Sequence, residues 1–188
     1  MGQMTKRVCP WWLGYLLASP LRRLSYNPAE ILHLYIRPGM TVLEPGPGMG
    51  FFTLELARLV GPSGQVVAVD LQPRMIAGLK RRAAKAGLLE RIDARLAPPG
   101  SMGVAGLAGA VDFTLAFAVV HEMPSPEAFF AEVAQVAKPG SSILFAEPAG
   151  HVKANEFEAE LEAAFNAGLV LAERPSIRRS WAALLQKA

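Results

Sequence analysis

The sequence of 188 residues contains a single cysteine, Cys9. One thiol excludes an intrachain disulfide framework and a zinc site built from cysteines. Nothing in the cysteine content requires an oxidising compartment, so we expect a cytoplasmic protein. Repeats and low-complexity tracts are absent, and apolar residues (52%) far outnumber charged ones (19%). This composition is typical of a globular chain, and the length indicates one domain with a buried core.

A large excess of one charge is also missing. The net charge is +3, which does not indicate nucleic-acid binding without a clustered basic patch. The one dense basic run, KRRAAK at residues 80–85, falls on a predicted helix, where a solvated face is the better interpretation. We therefore expect no nucleic-acid partner.

The sequence has no hydrophobic run long enough to span a bilayer. The stretch VCPWWLGYLLAS has the outline of a signal peptide, but Pro10 and Pro20 bracket a run that is too short for a membrane span. No clear small-residue cleavage site follows it. We interpret residues 1–26 as an N-terminal segment and residues 27–188 as the folded domain.

Strand and helix patterns alternate along the rest of the chain. Short apolar stretches predict strands at TVLE, QVVAVD, RIDARLA, AVDFTLAFAV and SSILFAE. Helical periodicity predicts helices at SYNPAEILHLYI, FFTLELARLV, PRMIAGLKRRAAKA, SPEAFFAEVAQVA and ANEFEAELEAAFNA, the fourth of them ending at a KPG turn. The tail, LVLAERP followed by SIRRSWAALLQK, predicts a hairpin. The alternation indicates an α/β fold in which a parallel sheet carries helices on both faces.

Ligands of such sheets bind beyond the carboxyl ends of the strands. The loops at these ends should therefore surround one crevice. They follow Glu44, Asp70, Leu96, Phe117 and Glu147.

A glycine-rich turn, PGPGMGFF, follows the first predicted strand. Gly46, Gly48 and Gly50 alternate, but a dinucleotide-binding turn needs a third small residue where this chain has Phe51. A P-loop is excluded as well, because no Gly-Lys-Ser/Thr follows. An NAD(P)-dependent oxidoreductase is therefore a disfavoured alternative.

Two acidic residues indicate what the turn binds. Glu44 lies beside it, and its charge repels a pyrophosphate but attracts a ligand that carries ammonium and sulfonium groups. Asp70 ends the next predicted strand, where a carboxylate can accept hydrogen bonds from both ribose hydroxyls. A nucleoside with a positively charged attachment satisfies both residues, and S-adenosylmethionine is such a molecule.

Four motifs occur in a fixed order: VLEPGPGMG, VVAVD, VDFTLAFAVVHEMP and AKPGSSILFAEP. Together they resemble class I S-adenosylmethionine-dependent methyltransferases of the small-molecule type, over roughly residues 27–174. The resemblance implies a Rossmann-like, doubly wound sheet of seven mainly parallel strands, with the C-terminal hairpin as its antiparallel edge. It also implies S-adenosylmethionine as the cofactor and S-adenosylhomocysteine as its product.

The resemblance also assigns residues to the cofactor. It places the methionine part near the glycine turn, the ribose at Asp70 and the adenine against Leu71. The full set of cofactor-binding candidates is Glu44, Gly46, Pro47, Gly48, Gly50, Asp70, Leu71, Met102 and Phe117.

The chain departs from the family after the third strand. The family often has an acid there that binds the adenine amino group, but the corresponding stretch, ARLAPPGSM, has none. Asp93 comes earlier, within the predicted strand. The candidates for holding the adenine are therefore backbone groups, Leu96 and Met102.

Methyl transfer from a sulfonium is an in-line displacement, in which the protein mainly aligns the nucleophile and excludes water. A base is needed only where the nucleophile carries a proton. His121 and Glu122, in the HEMP stretch, are the catalytic candidates. His121 is either a general base or a residue with a structural hydrogen bond.

The acceptor candidates lie in two parts of the chain. Glu147 and His151, in AEPAGH, are candidates for binding the acceptor, although capping a backbone amide is an equal alternative for Glu147. Trp11, Trp12 and Tyr15 either line the acceptor pocket, pack on the sheet, or contact a membrane interface that supplies a lipid-like acceptor.

The acceptor class follows from what the fourth strand lacks. No NPPY or DPPY tetrapeptide, typical of families that methylate the amines of nucleic-acid bases, follows it. Arsenite methyltransferases resemble this core but use several cysteines, and this chain has Cys9 alone. We predict a small-molecule acceptor and no metal. A non-catalytic S-adenosylmethionine-binding module that acts through a partner is the second alternative.

Overall fold

The computed structural model describes residues 26–188. The predictions for Cys9, Trp11, Trp12 and Tyr15 lie outside the described residues, and the boundary between N-terminal segment and domain stays a prediction. Within the described part, no helix is long and apolar enough to cross a membrane.

Seven strands form one sheet in the described part of the chain. Their order is β3-β2-β1-β4-β5-β7-β6; the first five are parallel, and β7 is antiparallel to both β5 and β6. The strands are β1 Thr41–Pro45, β2 Gln65–Asp70, β3 Ile92–Leu96, β4 Val111–Phe117, β5 Ala137–Pro148, β6 Leu169–Glu173 and β7 Ser180–Lys187. The predicted Rossmann-like sheet with an antiparallel C-terminal hairpin is confirmed.

The described part of the chain also contains five α-helices, of which the first precedes β1 and the others lie between strands. They are α1 Pro28–Leu32, α2 Thr53–Leu59, α3 Pro73–Lys85, α4 Pro126–Val136 and α5 Ala154–Asn166. Short 3₁₀ helices span Leu89–Arg91, Ala105–Leu107 and Val120–Glu122.

Side-chain caps fix where two helices begin. Asn27 Oδ1 accepts a hydrogen bond from Ala29 N (3.2 Å), and Pro28 occupies the first turn of α1. Ser125 caps α4 in the same way, because its Oγ accepts from Ala128 N (3.1 Å) and a proline follows. Such caps satisfy amides that the helix leaves unpaired, and proline at this position loses no helical hydrogen bond.

The first helix is shorter than the sequence predicts. The helical prediction over SYNPAEILHLYI is wrong beyond Leu32, where hydrogen-bonded turns replace the helix. Arg37 Nη1 donates to the carbonyl oxygens of His33 and Leu34, which a continuing helix would use itself. Pro38 follows, and the residue before a proline is disfavoured in a helical conformation.

The predicted KPG turn is also wrong, because these residues belong to β5. The strand begins at Ala137, which lies beside Val111 of β4. Gly140 has a φ of 74°, and the register between β4 and β5 shifts between Val111 and Phe113. The chain therefore bends within the sheet, as in a β-bulge, and does not leave it.

Both faces of the sheet are buried. Val67 and Val69 of β2 belong to one hydrophobic cluster, whereas Val66 and Ala68 belong to another. Successive side chains of a strand point to opposite faces, so the two clusters cover opposite sides of the sheet. The unbroken apolar run in this strand is what a parallel sheet between two helical layers requires.

The strand order changes direction between β1 and β4. The strands β2 and β3 extend from one side of β1, and β5 lies on the far side of β4. This is the switch point at which doubly wound sheets bind their ligands, beyond the carboxyl ends of the strands.

Candidate active site

A crevice with a volume of about 580 Å³ opens at the carboxyl ends of β1, β2 and β4. The loops after all five parallel strands contribute residues to its lining, as the sequence predicts. The volume lies in the range that is typical of small-molecule sites.

The glycine turn forms one wall of the crevice. Gly46 has a φ of 66° and Gly48 a φ of 54°, which residues with side chains rarely adopt. A Cβ atom on Gly46 would lie 2.5 Å from Cγ2 of Val119, so glycine is needed for the turns after β1 and β4 to approach this closely. A Cβ atom on Gly48 would meet no other described residue within 4 Å. A ligand therefore has room to approach the backbone of the turn.

Asp70 lies at the end of β2 and contacts the glycine turn. Its carboxylate accepts hydrogen bonds from Gln72 N (2.8 Å) and Gly48 N (3.3 Å). The side chain is only 7% exposed, and this burial raises its pKa from 3.8 to about 6, with a smaller contribution from the charge of Glu122. The two amide hydrogen bonds favour the carboxylate and oppose the shift.

The charges that line the crevice are acidic. Glu44, Asp70, Glu122 and Glu132 line it, and among residues 26–188 no lysine or arginine does. A buried pyrophosphate would meet only repulsion there, whereas an ammonium and a sulfonium are attracted. These residues therefore fit S-adenosylmethionine and do not fit a nicotinamide dinucleotide.

The adenine end of the crevice differs from the sequence interpretation. Leu71 and Met102 line it, but Leu96 is 53% exposed and does not. Asp93 lies within β3 and pairs with Arg95 (2.6 Å), so it makes no contribution to the crevice. Leu96 is therefore wrong as a residue that holds the adenine.

Glu132 of α4 brings an acid to this region that sequence reasoning missed. Its Oε2 accepts hydrogen bonds from Ser101 Oγ (2.9 Å) and Met102 N (3.0 Å), so a carboxylate lies where the loop after β3 has none. The available signal was helical spacing. Phe129 and Glu132 are three residues apart, share one face of a helix and both line the crevice.

Phe117, at the end of β4, belongs to an aromatic wall. Its ring lies 4.5 Å from the ring of Phe52 and 5.1 Å from that of Tyr26, measured between centroids. All three residues line the crevice. The surface of the crevice therefore combines acidic groups with an apolar, aromatic side.

Glu147, at the end of β5, is fully buried. Its Oε1 accepts hydrogen bonds from the backbone amides of Val119 (3.2 Å), Val120 (2.7 Å) and His121 (3.3 Å). The structure therefore gives Glu147 the backbone-capping role and not direct contact with an acceptor. Ala118, at the start of this turn, has a φ of 56°, which bends the chain so that the three amides converge.

His121 lines the crevice and is held from behind by Glu147. Its Nδ1 lies 2.5 Å from Oε2 of Glu147. Burial lowers the pKa of the imidazole, but the hydrogen bond to Glu147 and the charges of Glu147, Glu122 and Glu160 outweigh it, so the pKa is raised above 6.5 overall. The buried carboxylate therefore makes His121 a stronger base than an isolated histidine.

Glu122 and His151 lie close to His121. Oε1 of Glu122 is 3.9 Å from Nε2 of His121, and the rings of His121 and His151 are 6.5 Å apart. All three line the crevice. No group of three or more His, Cys, Asp or Glu side chains within residues 26–188 is arranged to hold a metal ion.

Comparison with known proteins agrees with this geometry. Residues 36–184 match the family model described as Methyltransferase domain. A crystal structure of a SAM-dependent methyltransferase from Aquifex aeolicus superposes with a TM-score of 0.83 at 23% identity, covering 95% of this chain and 98% of that one. The fold is that of a class I S-adenosylmethionine-dependent methyltransferase. The chain belongs to the methyltransferase-domain family.

Two curated relatives carry names with unlike acceptors. Arsenite methyltransferase of Halobacterium salinarum is 33% identical over 110 residues, which are 58% of this chain and 27% of the relative. Ribosomal protein L11 methyltransferase of Pelotomaculum thermopropionicum is 33% identical over 158 residues, which are 82% of this chain and 46% of the relative. The chain spans less than half the length of each, so its acceptor has to be argued from its own crevice.

Proposed function

We propose that the protein transfers a methyl group from S-adenosylmethionine to a small organic acceptor that carries no negative charge. One observation carries the choice of acceptor: no lysine or arginine of the described chain lines the crevice, whereas four carboxylate residues do. Phosphate groups are held mainly by lysine and arginine, so a nucleic acid finds no counter-charge there. The aromatic side formed by Tyr26, Phe52 and Phe117 supports an apolar molecule.

We assign the cofactor to the end of the crevice that the glycine turn forms. Glu44 and the turn from Gly46 to Gly50 hold its methionine part, and Asp70 accepts from its ribose. When bound, the cofactor supplies a methyl group that a sulfonium has already activated. The protein then has to align the nucleophile and exclude water.

The adenine lies against Leu71 and Met102 in this proposal. Glu132 accepts from the adenine amino group, because its carboxylate reaches the crevice beside Met102 N. In this assignment, Glu132 of α4 replaces the acid that the loop after β3 lacks.

The acceptor lies near His121, Glu122 and His151. These residues follow β4 and β5, next to the glycine turn, so a nucleophile held by them faces the methionine part of the cofactor. Glu122 and His151 orient the acceptor through hydrogen bonds.

Calorimetric titration with S-adenosylhomocysteine tests the cofactor assignment, with NADH as the competing ligand. We expect S-adenosylhomocysteine to bind and NADH not to bind. Asp70→Asn should weaken binding about 10-fold or more, since a charged acceptor of two hydroxyls is lost. Asp93→Asn is the matched control, because Asp93 lies on the neighbouring strand outside the crevice and should leave the affinity unchanged.

A binding module without activity is the competing function. It predicts that S-adenosylhomocysteine binds but that S-adenosylmethionine is never consumed. Release of S-adenosylhomocysteine in the presence of a panel of small acceptors distinguishes the two, because only an enzyme produces it at a rate that depends on the acceptor.

A further inference from the structure

Glu147 makes more hydrogen bonds than holding the turn after β4 requires, because it also pairs with His121. Three backbone amides, those of Val119, Val120 and His121, already donate to Oε1 of Glu147 and hold the turn after β4. Within residues 26–188, the second oxygen, Oε2, accepts a hydrogen bond only from Nδ1 of the imidazole. The carboxylate therefore has two functions, one for each oxygen.

This arrangement determines which nitrogen of His121 faces a ligand. A carboxylate only accepts hydrogen bonds, so Nδ1 carries the proton and the neutral ring has its lone pair on Nε2. The side chain is 24% exposed and lines the crevice. Glu122 Oε1, at 3.9 Å, is beyond hydrogen-bond distance of Nε2. Nε2 can therefore accept a proton from a molecule in the crevice.

We propose that the His121–Glu147 pair is the proton acceptor of the reaction, and that the nucleophile it serves is the hydroxyl oxygen of a neutral alcohol or phenol. This inference rests on the proposed function. His121 is the catalytic residue and Glu147 is its positioning residue. The O–H proton passes to Nε2 of His121 as the oxygen bonds to the methyl carbon, and the carbon–sulfur bond breaks with its electron pair left on sulfur.

The charges of the crevice decide between kinds of nucleophile. A carboxylate or phenolate acceptor arrives as an anion, and near His121 the described lining offers it the carboxylate of Glu122 and no lysine or arginine. A thioether or trivalent arsenic has a lone pair and no proton to lose, so it needs no base. Of these nucleophiles, a neutral hydroxyl is the one that both tolerates this crevice and requires the pair.

The carboxylates around the pair all favour a protonated imidazole. Glu147 faces His121 from β5, Glu122 from the same turn and Glu160 from α5, while His151 approaches from the loop after β5. The first three stabilise the imidazolium that forms when the acceptor gives up its proton. The surroundings of the pair therefore stabilise the protonated His121 that proton transfer produces.

The first test needs no acceptor. The chain has three histidines, so ¹⁵N-histidine NMR gives signals from three imidazole rings, with Nδ1 and Nε2 of each, and His33→Asn and His151→Asn assign the rings. We expect neutral His121 to carry its proton on Nδ1. In Glu147→Gln the amide group can donate to Nδ1, which moves the proton to Nε2 and removes the lone pair that faces the crevice. A wild-type His121 with its proton on Nε2 would overturn the proposal.

The second test measures methyl transfer to phenol, catechol and benzyl alcohol, with dimethyl sulfide and arsenite as acceptors that need no base. We expect transfer to hydroxyl compounds. His121→Asn should lower kcat by about 10²- to 10⁴-fold, with the affinity for S-adenosylhomocysteine within about 2-fold of wild type. Glu147→Asp should retain more of kcat than Glu147→Gln. His33→Asn, at the exposed residue that follows α1, should keep full activity.

The outcomes separate this proposal from the proposed function. If wild-type protein fails to bind S-adenosylhomocysteine, the proposed function falls, whatever the NMR shows. If it binds but transfers no methyl group to a hydroxyl, or if His121→Asn retains kcat within about 3-fold, the base is excluded while the methyltransferase assignment stands. Because His121→Asn leaves the buried carboxylate and its three amides in place, the test does not depend on the folding of the Glu147 variants.

Discussion

The backbone amide of Gly48 donates to Oδ2 of Asp70 at 3.3 Å, which joins the glycine turn after β1 to the acid after β2. Burial is the largest influence on this carboxyl group and raises its pKa to about 6, although the amides of Gln72 and Gly48 oppose the shift. A group that titrates this close to neutral pH, on the wall of the crevice, couples ligand binding to proton binding.

We predict that the affinity for S-adenosylhomocysteine falls as the pH drops through 6. The ribose hydroxyls need the ionised carboxylate of Asp70 as their acceptor, and protonation removes it. Because the folded pKa is raised, the loss begins near pH 6 and not near 4. Below that point the Kd should rise by up to about tenfold per pH unit, and above it the Kd should be flat. Calorimetry between pH 5 and 8 measures this.

Two variants isolate the contribution of Asp70. Asp70→Asn should bind weakly at every pH and lose the dependence below 6. His121 also titrates in the crevice, so the same series on His121→Asn should keep the dependence if Asp70 is its source. A wild-type Kd that is equal at pH 5 and pH 8 would show that Asp70 does not contact the ligand.

The approach of Gly46 to Val119 gives a second prediction. Gly46→Ala places a Cβ atom 2.5 Å from Cγ2 of Val119 and at a φ of 66°, so the turn after β4 has to move. Because His121 lies on that turn, we expect both lower stability and weaker S-adenosylhomocysteine binding. Urea unfolding and calorimetry measure the two effects separately.

Gly87→Ala is the matched control for this substitution. Gly87 has nearly the same φ, 68°, but a Cβ atom there meets nothing within 4 Å, and the residue lies after α3 away from the crevice. The left-handed conformation alone should cost about 1–2 kcal/mol in each variant. Gly46→Ala should lose more, and only it should lose affinity. Equal losses of stability with unchanged binding would mean that the contact with Val119 has no role in the site.

Residues encoded within one short stretch of chain could be predicted from the sequence. The glycine turn, Glu44 and Asp70 each follow directly from a strand ending, and the structure places Glu44, Gly46, Gly48 and Asp70 on one crevice. Gly50 does not line the crevice and instead faces Leu79. The strand and helix pattern likewise predicted the doubly wound sheet, because its periodicity is local. The predicted boundaries of helices and strands were less accurate where a single residue acts on the backbone. Arg37 binds carbonyl oxygens at the end of α1, and Gly140 lies where β5 bends.

Contacts between distant parts of the chain could not be predicted. Glu132 reaches Ser101 across 31 residues, and Glu147 reaches His121 across 26. Nothing in either local stretch specifies its partner, since the contact depends on how α4 and β5 pack against the loops. The sequence left the role of Glu147 open for this reason, and it did not indicate Glu132 at all.

Recognition of the adenine amino group by Glu132 gives a third prediction. S-inosylhomocysteine has an oxygen in place of that amino group, so it should bind less tightly than S-adenosylhomocysteine. We expect the ratio of the two affinities to be about 10-fold or more in wild type, since a hydrogen bond to a charged group contributes about 1.5–3 kcal/mol. Glu132→Ala should bring the ratio close to one.

The ratio of the two affinities distinguishes contact between Glu132 and the adenine amino group from an indirect effect of Glu132 on the loop after β3. Glu132 also holds Ser101 and Met102, so its loss weakens both ligands through the loop. Only contact with the amino group changes the ratio. Glu158→Ala, on the exposed face of α5, is the control and should leave both affinities unaltered. If the ratio of the two affinities is unchanged in Glu132→Ala, backbone groups and not Glu132 distinguish S-adenosylhomocysteine from S-inosylhomocysteine.

The pH profile of methyl transfer gives the fourth prediction. His121 must be neutral to accept a proton, so kcat should rise with pH as the imidazole loses its proton and level off above its pKa. The hydrogen bond and charge of Glu147, with the charges of Glu122 and Glu160, raise that pKa despite burial, so the midpoint should lie above 6.5. Glu147→Gln removes the largest of the influences that stabilise the imidazolium. It should therefore lower both the midpoint of the pH profile and the plateau of kcat.

Glu160→Gln is the informative comparison for this profile. Glu160 acts on His121 through charge alone and has no hydrogen bond to it, so its removal should lower the midpoint slightly and leave the plateau of kcat intact. A shift in both variants, with a lower plateau in Glu147→Gln alone, assigns orientation to Glu147 and charge to both residues. If the wild-type midpoint lies below 6.5, burial dominates the imidazole, and the carboxylate behind it serves only the three amides of the turn.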